Sequence, residues 1–187
     1  RDLVALAKSL AVIPVLRAMR VRAPGATLTF AGDVAVVRLG APVDDVLPMA
    51  LNPESLTGEW LGVDLTFVGF GITSFEGTGS GVKRRADEPI VGVEPTRITT
   101  FDGVHSTCQG DSGGPGLFPS GVGYVQVSTT SYGVGCGEGP SGHMRVDATL
   151  DWIAATIAPR EPTEIVVHVT GAVRAPGVYR VADDGRV

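Results

Sequence analysis

The 187-residue sequence lacks long apolar runs and an excess of positive charge. Its apolar runs fall far short of the roughly 18 residues that a membrane-spanning helix needs. The 20 Asp and Glu residues outnumber the 15 Lys and Arg residues, for a formal net charge of −5. This balance argues against nucleic-acid binding, which needs a basic face. No cluster of His, Cys, Asp or Glu has the spacing of metal ligands, so neither a metal nor another cofactor is expected.

Lysine and glutamate are scarce, whereas turn-forming residues are abundant. There are 26 glycines, about twice the usual share of roughly 7%, together with 13 prolines. This composition argues against a helical bundle and favours short strands joined by tight turns. A hydrophobic content of 43% is enough for a core. The sequence therefore predicts a soluble, β-rich protein.

Hydrophobic patterning predicts the main elements. Residues 33–39 and 63–70 have the pattern of strands, and apolar residues at helical spacing predict a helix over 2–11. A second helix is expected near residue 150, capped by Asp147 and ended by Pro159. Residues 71–88 have the composition of a surface stretch. Further short strands are predicted at 90–93, 96–100, 116–118 and 123–130.

A domain boundary is expected near residue 160. The stretch 159–164 contains two prolines and has the character of a short linker. The sequence therefore predicts one domain over 1–158, a linker over 159–164 and a separate β segment over 165–187.

The most informative stretch is Thr107-Cys-Gln-Gly-Asp-Ser-Gly-Gly-Pro115. A serine that attacks a carbonyl must project from a tight loop that a substrate can approach, and glycines permit such a loop. The backbone N–H groups of Gly110 and Ser112 could converge on a developing oxyanion. The alternative is that Gly-Asp-Ser-Gly-Gly is merely a turn.

This stretch resembles the nucleophile signature of the chymotrypsin/trypsin family of serine endopeptidases, which residues 108–115 match without a substitution. Four other segments resemble family segments in the same order: 32–39, 68–71, 130–136 and 146–153. The resemblance covers roughly residues 28–158. It implies an all-β fold, a chymotrypsin-like double Greek-key barrel with the second barrel complete, the first partial and a C-terminal helix.

The resemblance also implies roles for single residues. Ser112 would be the nucleophile, and Asp33 would orient a general-base histidine. Gly110 and Ser112 would form the oxyanion hole. Asp111 would pair with the amino terminus that zymogen cleavage creates. The only two cysteines, Cys108 and Cys136, would form a disulfide, which suits an extracellular or periplasmic compartment.

The same resemblance implies a pocket for the substrate side chain that precedes the scissile bond (P1). Ser106 stands where cleavage after Arg or Lys would require an acid, so an apolar P1 residue is expected because a buried cation would be unpaired. Gly133 leaves room for that side chain. Gly69 and Gly71 are interpreted as ordinary turn residues. The predicted pocket residues are Ser106, Thr107, Gln109, Ser131, Tyr132, Gly133 and Ser141.

No histidine precedes Asp33, although the family places its catalytic histidine before the aspartate. His105, His143 and His168 all follow it, and structural or surface roles are expected for the first two. The sequence is therefore interpreted as N-terminally truncated, with the catalytic histidine upstream. Alone, the chain is not expected to hydrolyse peptides efficiently.

Two other functions compete with that of a protease that acts on a polypeptide substrate. An inactive pseudoprotease that binds peptides or regulates a partner has no need of Ser112, Asp33 and the oxyanion glycines together. An α/β-hydrolase elbow at Ser112, with Asp147 and His168 as partners, must lead directly into a helix. Residues 114–119 cannot form one, because they contain two prolines and two glycines.

The last 23 residues resemble the start of a SLBB domain, a small module of bacterial polysaccharide-export and DNA-uptake proteins. The resemblance lies in Ile165-Val-Val-His-Val-Thr-Gly-Ala-Val173 and Pro176-Gly-Val-Tyr179. It implies a bacterial, envelope or extracellular setting, with glycan or nucleic-acid contact by the full module. The alternative is an ordinary β-hairpin extension.

Overall fold

The computed structural model describes residues 4–6, 27–39, 47–121, 123–158, 163–169 and 177–183. The chain divides into two compact units, Arg1–Ile157 and Ala158–Val187. Among the described residues, no helix is both long and apolar enough to cross a membrane.

The centre of the first unit is a closed six-stranded antiparallel barrel. Its strands are β5 (Asp64–Gly69), β6 (Arg84–Val93), β7 (Arg97–Thr100), β8 (Pro115–Ser120), β9 (Gly123–Gly133) and β10 (Ser141–Arg145). They follow the order β10-β7-β6-β5-β8-β9, and β10 also pairs with β9, which closes the sheet on itself. A two-residue strand, β4 (Ala50–Leu51), pairs with β9 in parallel.

Apolar side chains from four of these strands form the barrel core. Leu65 and Phe67 alternate along β5 and meet Ile90, Ile98 and Val127 from β6, β7 and β9. The period of two along a strand places these residues on one face. The predicted strand over 63–70 is confirmed by β5.

A three-stranded sheet lies beside the barrel, in the order β1-β3-β2. Its strands are β1 (Val4–Leu6), β2 (Thr27–Ala31) and β3 (Val34–Arg38). The helix predicted over 2–11 is wrong at residues 4–6, because β1 pairs antiparallel with β3. Sheet pairing has overridden a short helical periodicity there; the other residues of that helix prediction lie outside the described part of the chain.

The helix predicted near residue 150 is present as α1 (Leu150–Ile157), which follows a 3₁₀ turn at Asp147–Thr149. Ile153 of α1 packs with Val34 and Val36 of β3 and with Val146 in a second core. The barrel and the C-terminal helix confirm the predicted chymotrypsin-like, all-β fold.

The second unit contains an antiparallel pair, β11 (Thr163–Val169) and β12 (Gly177–Asp183), with His168 opposite Val178. The predicted linker over 159–164 lies outside the described residues except for Thr163 and Glu164, which belong to β11.

Candidate active site

The loop between β7 and β8 presents Ser112 to solvent. Two tight backbone hydrogen bonds shape it: the Asp111 N–H donates to Cys108 O at 3.0 Å, and the Gly114 N–H donates to Asp111 O at 2.9 Å. Gly110 and Gly113 have φ angles of +96° and +83°, in the left-handed region that favours glycine. Ser112 therefore lies on a turn that would be strained if residues 110 and 113 were not glycine.

The backbone amides of this loop fall into two groups. The Gly113 N–H donates to Thr130 O at 2.8 Å, and Thr130 N–H donates to Gly114 O at 2.9 Å, which pins the loop to β9. The amides of Gly110 and Ser112 have no hydrogen-bond acceptor among the described residues. Free donors beside a serine hydroxyl can stabilise an oxyanion.

The carboxylate of Asp111 is half-buried at the base of the loop. One oxygen accepts the Gly71 N–H at 2.8 Å, and the other accepts the Cys108 N–H at 2.9 Å. A Cβ at Gly69 or Gly71 would lie 1.9 or 2.7 Å from the carboxylate. The interpretation of these two glycines as ordinary turn residues is wrong, because both leave space for Asp111.

A disulfide joins the loop to the segment that follows β9. Cys108 and Cys136 are bonded, with their Cα atoms 5.0 Å apart across 28 residues of sequence. The pairing implied by the family resemblance is thus confirmed.

A cavity of about 270 Å³ opens beside Ser112. At Gly133 a Cβ would meet Thr107 O at 3.1 Å and Ser141 Oγ at 3.5 Å, so its absence widens the cavity. Phe75, Gly135 and Cys136 line the cavity without having been predicted to do so. The predicted pocket residues that line it are Thr107, Gln109, Ser131, Tyr132 and Gly133.

The structure places the other two predicted pocket residues elsewhere. The Ser106 hydroxyl donates to Gly135 O at 2.9 Å, and Ser106 lines a second cavity. Ser141 is fully buried, and its Oγ accepts hydrogen bonds from the Thr107 N–H and hydroxyl at 3.0 and 2.9 Å.

Asp33 lies in the turn between β2 and β3. The hydroxyl of Ser131 donates a hydrogen bond to its carboxylate. Ser131 also lines the cavity beside Ser112, so one side chain connects the candidate aspartate to the candidate nucleophile's pocket. The pairing of Asp33 with Ser131 joins residues 98 positions apart, so the sequence pattern did not indicate it.

Comparison with known proteins identifies the family. The family model described as Trypsin matches residues 8–153. The chain belongs to the trypsin family of serine proteases. It is 32% identical to the proclotting enzyme of Tachypleus tridentatus and to the CLIP domain-containing serine protease B10 of Anopheles gambiae, each over 67% of this chain. It is 34% identical to brachyurin of Leptuca pugilator over 68% of this chain.

These relatives are longer proteins from eukaryotes. The chain spans 40%, 39% and 61% of the proclotting enzyme, the B10 protease and brachyurin, respectively. The comparisons therefore support the protease family but give no support to the predicted bacterial source.

Neither described histidine of this trypsin-family chain lines the cavity beside Ser112. His143 is fully buried, stacks on Phe67 at 4.4 Å and has Nε2 2.9 Å from Thr100 Oγ1. Burial lowers the pKa of His143 to about 3. This side chain is neutral at physiological pH and belongs to the barrel core.

His105 lies at the surface in a pair with Asp102, with Nδ1 2.5 Å from Oδ2. The hydrogen bond raises the pKa of His105 and lowers the pKa of Asp102 to about 2. His105 lines the second cavity rather than the one beside Ser112. The side chain of His168 lies outside the described part of the structure.

Glu88 is a feature of this trypsin-family barrel that the sequence analysis missed. It falls in the predicted surface stretch, yet its side chain is fully buried. Its Oε2 accepts a hydrogen bond from Thr100 Oγ1 at 2.7 Å, and burial raises its pKa. The sequence does contain a signal of this burial. Glu88 lies two positions before the apolar residue Ile90, and residues two apart lie on the same face of a strand.

Proposed function

We propose that this chain is the catalytic-serine part of a secreted serine endopeptidase that cleaves polypeptides through an acyl-enzyme at Ser112. One observation carries the proposal: exposed Ser112 stands beside a cavity, on a loop whose Gly110 and Ser112 amides have no acceptor among the described residues. The family and the disulfide support it, since disulfides persist in oxidising extracellular compartments.

In the proposed reaction, Ser112 Oγ forms a bond to the scissile carbonyl carbon while a histidine takes its proton. The resulting oxyanion accepts hydrogen bonds from the Gly110 and Ser112 amides. The C–N bond then breaks, and the leaving amine receives the proton from the histidine. Water, deprotonated by the same histidine, hydrolyses the acyl-enzyme and restores the serine.

The histidine is proposed to come from a segment upstream of residue 1. His143 is buried against Phe67, and His105 pairs with Asp102 on a different cavity. Asp33, which accepts a hydrogen bond from Ser131, is proposed to orient the incoming imidazole. Asp111 is proposed to receive the amino terminus formed by zymogen cleavage.

The SLBB-like character of residues 165–187, their glycan contact and a bacterial origin stay predictions. The backbone pairing of β11 with β12 is compatible both with a module's first strands and with a simple hairpin extension.

The test is covalent labelling of a longer natural chain that carries a histidine upstream of Asp33. A fluorophosphonate probe is expected to label Ser112, and Ser112→Ala is expected to abolish labelling. Ser80→Ala, which alters an exposed serine outside the nucleophile loop, is the matched control and retains it. Absence of labelling in the folded, proteolytically processed protein contradicts the proposal, and peptide binding without labelling favours the pseudoprotease.

A further inference from the structure

One wall of the cavity beside Ser112 comes from a loop in which no pocket residue was predicted. Phe75 belongs to the loop between β5 and β6, within the stretch 71–88 that the sequence predicts to lie at the surface. Phe75 is 60% exposed, and it lines the cavity together with Tyr132, which is 44% exposed. Two aromatic rings therefore present apolar surface to one cavity beside the candidate nucleophile.

Hydrogen bonds fix the turn that carries Phe75. The Gly77 N–H donates to Ser74 O at 3.0 Å, which closes a β-turn with Phe75 at its second position. At the base of this turn, the Thr73 N–H donates to Thr78 O at 2.9 Å. A ring on such a fixed turn loses little conformational freedom when a ligand packs against it.

The ring of Phe75 also rests on the segment that follows β9. A Cβ at Gly135 would lie 2.8 Å from Phe75 Cζ and 2.9 Å from Cε2, so glycine leaves the room that the ring needs. Gly135 itself lines the cavity. The Ile72 N–H donates to Gln109 O at 2.9 Å, which ties the same loop to the nucleophile loop. Phe75 is therefore held at the cavity by its own loop and by the segment beneath its ring.

The described residues that line this cavity are uncharged. They include no Asp, Glu, Lys, Arg or His. A charged occupant would lose hydration without gaining a counterion from the lining, whereas an apolar occupant gains by burial against the two rings. An aromatic occupant gains further, because rings attract one another in offset or edge-to-face arrangements.

We propose that Phe75 is a specificity-determining residue whose ring forms the wall against which an aromatic side chain of the substrate packs in the cavity beside Ser112. This inference rests on the proposed protease function. It gives the loop between β5 and β6 a part in the choice of substrate side chain, separate from the reactivity of Ser112.

The test is a nuclear magnetic resonance titration of the 187-residue chain with two probes that share one backbone. N-acetyl-phenylalanine amide carries a ring, whereas N-acetyl-alanine amide carries only a methyl group. The unaltered chain is expected to bind the phenylalanine probe at least about fivefold more tightly. Phe75→Ala is expected to lower this preference by about threefold or more. Phe70→Ala, which removes an exposed ring of the same loop that lines neither cavity, is the matched control and keeps the preference.

Two further variants keep the test decisive. Phe75→Ser, whose small polar side chain suits a turn, is expected to show the same loss and serves if Phe75→Ala does not fold. Phe75→Tyr retains the ring and is expected to retain the preference. Equal binding of both probes by the unaltered chain overturns the inference. So does an unchanged preference in a folded Phe75→Ala or Phe75→Ser protein, or a loss in Phe75→Tyr as large as that in Phe75→Ala.

Probe binding needs no reactive serine, so its outcome is independent of the test of the proposed function. A longer chain that labels at Ser112 but whose phenylalanine preference does not depend on Phe75 overturns the role of Phe75 alone. A Phe75-dependent preference without labelling retains the aromatic wall and overturns the protease proposal.

Discussion

At the scale of single residues, Asp111 depends on space that glycine leaves. A methyl group on Gly71 would lie 2.7 Å from the Asp111 carboxylate, which two backbone amides hold in place. The carboxylate can move only by losing those hydrogen bonds. Gly71→Ala is therefore expected to lower the free energy of unfolding by about 1–3 kcal/mol, as measured by urea denaturation.

Gly58→Ala is the control for this prediction, because a Cβ at Gly58 has no heavy atom within 4 Å. It is expected to change stability by less than about 0.5 kcal/mol. Equal stabilities of the two variants would contradict the role assigned to Gly71.

The candidate site was predictable where its chemistry lies in adjacent residues. Ser112, Gly110 and Cys108 belong to one contiguous signature, which a sequence pattern can identify. Glu88 and Ser131 acquire their surroundings from strands distant in sequence. Their burial and partners follow from barrel closure, which local patterns do not specify.

At the scale of elements, Asp147 does not cap the C-terminal helix as predicted. The preceding 3₁₀ turn has no side-chain cap, and Asp147 instead accepts hydrogen bonds from Arg145 and the Leu56 N–H. The ion pair of Asp147 with Arg145, at the end of β10, has replaced the predicted capping hydrogen bond of Asp147 to the helix. The loop that contains Leu56 is thereby fixed to the start of the helical segment.

Removing the Asp147 carboxylate is expected to destabilise this junction strongly. Asp147→Ala leaves Arg145, whose side chain is only 10% exposed, without its acid partner. A loss of about 3–5 kcal/mol in the free energy of unfolding is expected, measured by chemical denaturation. In the Arg85–Asp87 pair the side chains are 58% and 47% exposed, so Arg85→Ala should cost no more than about 1 kcal/mol. Similar losses in both variants would refute the distinction.

The strands were predicted better than the N-terminal segment. The alternation of apolar and polar residues in β5 is a local property: Leu65 and Phe67 join the apolar core, whereas Thr66 between them is buried through a hydrogen bond to Asp87. Residues 4–6 form a strand only because β3 offers them a pairing edge. Periodicity over a few turns is too weak to outweigh such hydrogen bonding.

At the scale of the whole molecule, the barrel encloses a polar cluster of Glu88, Thr100 and His143. Burial disfavours the charged form of each titratable group, so it raises the pKa of Glu88 and lowers that of His143. The two groups therefore affect stability in opposite directions as pH falls. Glu88 gains protons more readily in the folded state, whereas His143 gains them more readily in the unfolded state.

The contribution of His143 predicts acid destabilisation of the fold. Between about pH 6.5 and 3 the unfolded histidine binds a proton and the folded one, with its pKa of about 3, does not. Stability consequently falls with decreasing pH by about 1.4 kcal/mol per unit from this group, and His143→Gln should remove that slope. Urea denaturation of both proteins from pH 7 to 4 measures the difference in their free energies of unfolding. The contributions of Glu88 and the other acids are common to both proteins and cancel in this difference. The control is His105→Gln, which alters a surface histidine whose pKa is raised and should not flatten the curve of stability against pH. Parallel curves for the unaltered protein and His143→Gln would show that His143 does not couple folding to proton binding.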